Sequence, residues 1–278
     1  MTQSPPTWTL DGPLLLVGAG KMGSAMLSGW LAGGLHPRDV LVQEPNPSAD
    51  FVSWCGQKGV SLAAEKTPAK SPSIMVMAVK PQAMADVFPS LAKRAAPHTI
   101  VLSIAAGTTI ASFEQHLPPK AAVVRAMPNT PAAIGRGITV LCANAHVACA
   151  QRALCERLMR AVGDVGWVAD ESLMDAVTAV SGSGPAYVFL LAEALADAGV
   201  KAGLDPELSM QLARATISGS GELMRQSRAP AATLRKNVTS PGGTTAAALE
   251  VLMANDGLAP LMDRAVAAAV ARGKALSK

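Results

Sequence analysis

The chain has 278 residues, half of them hydrophobic, 3% aromatic and 16% charged, enough for one large or two ordinary domains with a core built from Ala, Leu, Val and Met. Its formal charge is +4, but Lys and Arg are scattered, with no basic run and no interleaved aromatics, so no nucleic-acid partner is expected. Cys55, Cys142, Cys149 and Cys155 form no CxxC pair, which argues against a disulfide framework or a zinc site and for buried thiols in a reducing compartment.

The first twelve residues carry no Lys or Arg and contain Pro5 and Pro6, unlike the charged start and apolar stretch of a secretory leader. No apolar run reaches spanning length free of Gly, Pro or charge, so no membrane helix is expected and the cytoplasm is the default. A surface so poor in charge points to burial between subunits.

The first half alternates short apolar runs with helix-length segments. Strands are expected at 14–17, 40–43, 74–79, 99–104 and 121–125, with helices such as 22–35 and 82–95 between them. Near-continuous apolar strands separated by helices predict a parallel sheet covered on both faces. Strands at 138–143 and 165–169, flanking a helix over 146–162, complete it.

Gly18-Ala19-Gly20-Lys21-Met22-Gly23 follows the first strand and opens a helix. In that context the first glycine serves the tight turn, the second the close approach of a pyrophosphate and the third helix–strand packing, while open helix-start amides face the phosphates. Glu44 lies about twenty residues on, where an acid meets an adenosine ribose. The turn after it, Pro45 to Ser48, offers Asn46 and Ser48 to a 2′-phosphate and contains no Arg. The residues thus leave NAD against NADP open.

Ala78-Val79-Lys80-Pro81 and Ser103-Ile104-Ala105-Ala106-Gly107 end the third and fourth strands, at the sheet edge where ligands bind in open α/β folds. Lys80 can approach the phosphates or ribose. Asn129 and Thr130, in the proline-stiffened Met127–Pro131 loop, offer hydrogen bonds near the expected nicotinamide.

Beyond residue 169 the strand-like runs vanish and Ala-rich helical patterns take over, over 171–180, 186–199, 206–225, 231–238, 244–253 and 257–276. The domains are therefore expected at 1–169 and 170–278. Asp205-Pro206 is a clear helix start. Pro185 should kink or break the chain within Ser181-Gly-Ser-Gly-Pro185. Tyr187, the only tyrosine, reads as a core residue with one hydrogen bond rather than a catalytic one. Thr239-Ser240-Pro241-Gly242-Gly243-Thr244-Thr245 precedes a helix. Its hydroxyls and the open amides make a receptor for a carboxylate.

Taken in order, these six motifs, from Gly18–Gly23 to Thr239–Thr245, with Arg125–Pro131 and Ser181–Tyr187 among them, resemble those of pyrroline-5-carboxylate reductases. The match runs from about Leu14 to the C-terminus, and its last two motifs are the specific ones. The resemblance implies an N-terminal Rossmann-type doubly wound α/β sheet, followed by an all-helical dimerisation domain that forms dimers or a ring of dimers. It implies hydride transfer to the small-molecule substrate 1-pyrroline-5-carboxylate, giving L-proline, with NADPH as the usual reductant and NADH possible. By the same resemblance Val17, Gly18, Ala19, Gly20, Lys21, Met22, Gly23, Asn46, Ala78, Val79, Lys80, Pro81, Ala105, Ala106 and Asn129 touch the cofactor. Ser240, Gly242, Gly243, Thr244 and Thr245 hold the substrate, with a Thr245 hydrogen bond to the ring nitrogen. Glu44 and Glu65 depart from the family pattern, being acidic where neutral residues are common.

Two other readings compete. Dehydrogenases of β-hydroxyacids share the architecture but typically use a Lys on the long helix after the sheet, and 171–200 holds no Lys or His. A non-catalytic nucleotide-binding oligomer would be marked by a damaged carboxylate loop, which here is intact.

Overall fold

The computed structural model describes residues 8, 10–62 and 70–276. Glu65 lies outside them. One eight-stranded sheet has the order β3-β2-β1-β4-β5-β6-β7-β8, formed by β1 (Leu14–Val17), β2 (Val40–Gln43), β3 (Ser61–Leu62), β4 (Ile74–Met77), β5 (Ile100–Ser103), β6 (Ala122–Met127), β7 (Gly137–Ala143) and β8 (Gly163–Trp167). The helices of this half are α1 (Lys21–Ala32), α2 (Ala49–Lys58), α3 (Pro81–Ala92), α4 (Ile110–Glu114) and α5 (Cys149–Arg160).

Alternate residues of β1 feed opposite faces. Leu14 and Leu16 pack with Met26, Leu27 and Trp30 of α1 and Leu158 and Met159 of α5. Leu15 and Val17 pack with Met84, Phe88 and Leu91 of α3. All four β1 side chains are buried, each contributing about 1.5–3 kcal/mol. This two-sided burial is why the strand is apolar at every position. The Trp30 indole, fully buried, donates to Leu158 O at 2.9 Å.

The sheet is parallel except between β6 and β7. The connection there is a short 3-10 turn, Thr130–Ile134, and a parallel return needs a crossover of a dozen residues or more. The α2–β3 segment goes beyond the sequence expectation. Ser48 caps α2 and Gly59 ends it in the left-handed region, φ +72°. Among the cysteines, Cys55, Cys142 and Cys155 are buried, and burial pushes the Cys155 thiol up to about 12. Cys149 departs from the buried-thiol expectation: it opens α5 and is exposed.

The chain divides into two compact units. One ends at Gly182 and takes back the chain from Val270, and the other is Ser183–Ala269. The second contains α7 (Gly184–Lys201), α8 (Pro206–Gln226), α9 (Ala231–Asn237) and α10 (Thr244–Leu252), and α11 (Leu258–Leu276) begins in it. Here α6 (Met174–Val177) is the short helix that precedes the glycine-rich stretch. The kink expected at that stretch takes the form of a π-helical segment, Thr178–Gly182, before α7. Pro185 stands in the first turn of α7, where no helical donor is lost. Consequently Glu171–Lys201 is one helical run, long and apolar enough by length and composition to cross a membrane, although it contains Gly182, Gly184, Pro185 and charged residues. The α7–α8 hairpin turns at Gly203, and Asp205 caps α8 by accepting from the Glu207 and Leu208 amides.

Candidate active site

The nucleotide edge forms where the chain, leaving β1 for β2 on one side, returns as β4 on the other. Such a switch point opens a crevice beyond the carboxyl ends of the strands. Backbone bonds hold the strand tips together: Gly18 N donates to Gln43 O at 2.9 Å, Ala78 N to Val17 O at 2.7 Å and Ile104 N to Met77 O at 3.1 Å.

Each glycine of the loop meets a different constraint. Gly18 has φ +90°, and a Cβ there would lie 2.7 Å from Ala78 O. A Cβ on Gly23 would strike Gly18 O, so the helix can pack this close only without one. Around a Cβ on Gly20 there is nothing within 4 Å. Gly20 is also the N-cap of α1 and no side chain caps that helix. Open space beside uncapped helix-start amides fits a pyrophosphate. Ser24 Oγ, donating to Ala19 O at 2.6 Å, steadies the loop.

The other cofactor candidates lie around the same edge. Val17 is buried, Ala19, Met22, Ala78 and Val79 are half-buried, and Lys21, Asn46, Lys80 and Pro81 are exposed. Lys80 occupies the N-cap position of α3 with no side-chain cap bond, and Pro81 is its first residue. This is a second open helix start at the edge. Ala105 is buried and its amide donates to Ser103 Oγ at 3.2 Å, while Ala106 is exposed. Asn129 is already employed as a clamp: its Oδ1 accepts from Ile138 N at 2.9 Å and its Nδ2 donates to Ser181 O at 3.1 Å in the π segment. Its contribution to the edge is to fix the loop after β6.

Two further residues shape this unit: Glu44, which the sequence offered as a ribose acceptor, and Glu171, which it did not single out. Glu44 takes the Ala19 amide of the glycine loop on its Oε2 at 2.8 Å. Position alone suggested an acid at the end of β2, but the bond to Ala19 depends on strand adjacency and has no local sequence signal. Glu171 Oε1 accepts from Arg125 Nη1 at 3.0 Å and from Ile110 N at 2.9 Å. That one oxygen joins β6, the start of α4 and the first residue of the long helical run.

The candidate carboxylate receptor lies in the helical unit. Gly242 turns the chain at φ +69°, and Gly243 N donates to Ser240 O at 3.1 Å. Gly243 is the N-cap of α10, and no side chain caps that helix either. The Thr239 hydroxyl is spent on Arg235 O at 2.7 Å. Ser240 and Thr244 are exposed and Thr245 is half-buried on the first turn. Unclaimed amides beside hydroxyls suit an anionic group of carboxylate size.

Comparison with known proteins agrees with this geometry. Residues 171–276 match the family model described as pyrroline-5-carboxylate reductase dimerisation, and residues 14–107 match the one described as NADP oxidoreductase, coenzyme F420-dependent. A pyrroline-5-carboxylate reductase of Pseudomonas aeruginosa is 39% identical over 95% of this chain and 97% of its own length. The solved pyrroline-5-carboxylate reductase of Coxiella burnetii superposes with a TM-score of 0.89 at 36% identity, covering 96% of this chain and 99% of that one. The Plasmodium falciparum pyrroline carboxylate reductase, solved with NADP bound, gives 0.80 at 31% identity over 96% and 99% of the two chains. The chain belongs to the pyrroline-5-carboxylate reductase family.

Proposed function

We propose that this enzyme reduces 1-pyrroline-5-carboxylate to L-proline with NAD(P)H, the last step of proline biosynthesis. The observation that carries the reading is the turn Thr239–Thr245, which opens α10 without a side-chain cap and so leaves amides and hydroxyls for a small carboxylate. Family membership and the uncapped glycine loop at the sheet edge support it. Residues 1–169 form the dinucleotide part in this reading. Residues 170–278 form the substrate-binding and self-associating part.

A bound reduced nicotinamide supplies hydride for the imine carbon. Gly20 and the α1 amides hold the pyrophosphate, in a loop whose turn Gly18 makes and whose close packing Gly23 permits. Lys21 and Lys80 offset its charge, and Ala78 to Pro81, with Ala105 and Ala106, shape the floor. Ser240, Gly242, Gly243 and Thr244 hold the substrate carboxylate. The substrate is already an imine, so no side chain has to form one. The ring nitrogen carries its proton into the product amine, and Thr245 orients that nitrogen through its hydroxyl. Fixing donor and acceptor at contact distance is worth up to roughly 7–11 kcal/mol.

Self-association rests on the helical half. Phe189 and Leu190 of α7 are 62% and 63% exposed, flanked by exposed Val188, Leu191 and Leu195. A second copy of the chain covers them in this reading, as a dimer or a ring of dimers. That also accounts for the apolar length of Glu171–Lys201. Four free cysteines suit the reducing cytoplasm.

The test is nicotinamide oxidation by the purified enzyme with and without 1-pyrroline-5-carboxylate. Turnover should require the imine and yield proline. Thr245→Ala should lower turnover roughly tenfold to a hundredfold, the worth of a hydrogen bond to a charged group, and leave nicotinamide affinity unchanged. An unaltered rate would remove Thr245 from the mechanism, and an imine-independent rate would remove the substrate.

A further inference from the structure

The turn after β2 already holds an anion of its own. Glu44, the first residue beyond the strand, is half-buried. Each of its carboxylate oxygens accepts from a backbone amide, Oε2 from Ala19 N at 2.8 Å and Oε1 from Asn46 N at 3.1 Å. Ser48, the other residue of this turn suited to a phosphate, spends its hydroxyl as the cap of α2, accepting from Phe51 N at 3.2 Å. Between Glu44 and Ser48 there is no Lys or Arg. Arg94 reaches the strand end from elsewhere, but its Nη1 donates to Gln43 Oε1 at 3.0 Å and its Nε and Nη2 are buried.

A carboxylate has about four acceptor sites, and two amides leave room for hydroxyl donors. An acid at the end of the second strand, about twenty residues past the glycines, is placed to accept from an adenosine ribose. A 2′-phosphate at the same point brings up to two further negative charges against it, and the Asn46 amide that would have received them is already taken. We propose that Glu44 makes this enzyme selective for NADH over NADPH, accepting from the ribose 2′-hydroxyl and repelling a 2′-phosphate. The inference rests on the nucleotide reading of the Gly18–Gly23 edge. The bond to Ala19 gives the selectivity a mechanical side as well, because the group that reads the ribose also positions the pyrophosphate loop.

Direct titration of the full-length protein with NADH and NADPH, by calorimetry, tests this without turnover. A second pair, AMP and adenosine 2′,5′-bisphosphate, isolates the 2′-phosphate. NADH should bind about tenfold or more tighter than NADPH, as expected for like charges brought together, AMP should likewise exceed the bisphosphate, and both gaps should narrow as salt screens the repulsion. Glu44→Gln keeps the side chain's length and one amide acceptor and removes the charge. It should bring the NADH-to-NADPH ratio toward one, chiefly by tightening NADPH, with the ligand-free melting curve as the control for folding. Should that variant fold poorly, the wild-type ratio and its salt dependence still decide. NADPH binding as tightly as NADH overturns the proposal. An unchanged ratio in Glu44→Gln overturns it too. Failure of both dinucleotides to bind refutes the nucleotide edge itself, a separate and recognisable result.

Discussion

The three glycines of the loop carry three separable burdens, and single methyl groups tell them apart. At Gly20 an added Cβ meets nothing within 4 Å, and the backbone, φ −63° and ψ −174°, suits any residue. Gly20→Ala should therefore cost the free protein less than about 1 kcal/mol, the difference between Gly and Ala at an N-cap. It should still weaken dinucleotide binding, since the methyl occupies the space left for the pyrophosphate. Gly23→Ala should do the reverse first. Its Cβ strikes Gly18 O, a backbone atom that cannot swing aside, and stability should fall by roughly 1–3 kcal/mol, as in overpacked cores. Thermal melts of the two ligand-free variants, followed by NADH titration, check both halves. Equal melting losses would show that Gly20 is a structural glycine like Gly23.

Among the elements, the ion pair of Arg125 and Glu171 is the joint on which the helical run is mounted. Arg125 is 5% exposed in β6, and the same Glu171 oxygen also takes the first amide of α4. Glu171→Gln would leave a buried guanidinium uncompensated, at a cost of about 3 kcal/mol, read as a fall in the urea midpoint. The double variant Arg125→Met with Glu171→Gln should recover part of that loss, because no charge is then stranded. A single variant as stable as wild type would show the pair to be solvated and idle. This joint was invisible in the sequence: 46 residues separate its partners, and nothing local in either side chain's surroundings names the other. What was legible is what repeats along the chain. The apolar strands at Leu14–Val17 and Val40–Gln43 stand where hydrophobic patterning put them, and Asp205-Pro206 opens α8 as capping chemistry requires. The short β3 escaped because two residues carry no period. The reversed direction of β7 escaped because strand sense is set by the connection, here the tight Thr130–Ile134 turn, and not by the strand. Similarly, the placement of Gly18–Gly23 at the sheet edge followed from the strand before it, whereas the hold of Glu44 on Ala19 followed only from β1 and β2 lying side by side.

At the level of the whole molecule, the helical unit cannot account for its own stability. Among the described residues of Ser183–Ala269, only Ala196, Ala213 and Ser209 are buried. A core of two alanines and a serine cannot offset the chain entropy of such a unit, which runs to about 1–2 kcal/mol per residue. Meanwhile Phe189, Leu190 and Leu191 of α7, Leu212 and Leu223 of α8, and Val251 and Leu252 of α10 stand exposed. The apolar surface that should have formed a core is turned outward, and covering it with a second copy supplies what the single chain lacks. Folding of the helical half and association then become one equilibrium, so stability must depend on protein concentration. The melting temperature of the wild type should rise with dilution reversed, from micromolar to higher concentration. Leu190→Glu, placing a charge in the middle of the α7 surface, should yield a monomer by light scattering whose helical signal in circular dichroism is reduced, while the separately cored sheet unit keeps its tertiary signal. A Leu190→Glu monomer with undiminished helicity would mean that the helical half stands alone, and the proposed role of the second copy in holding it would be lost.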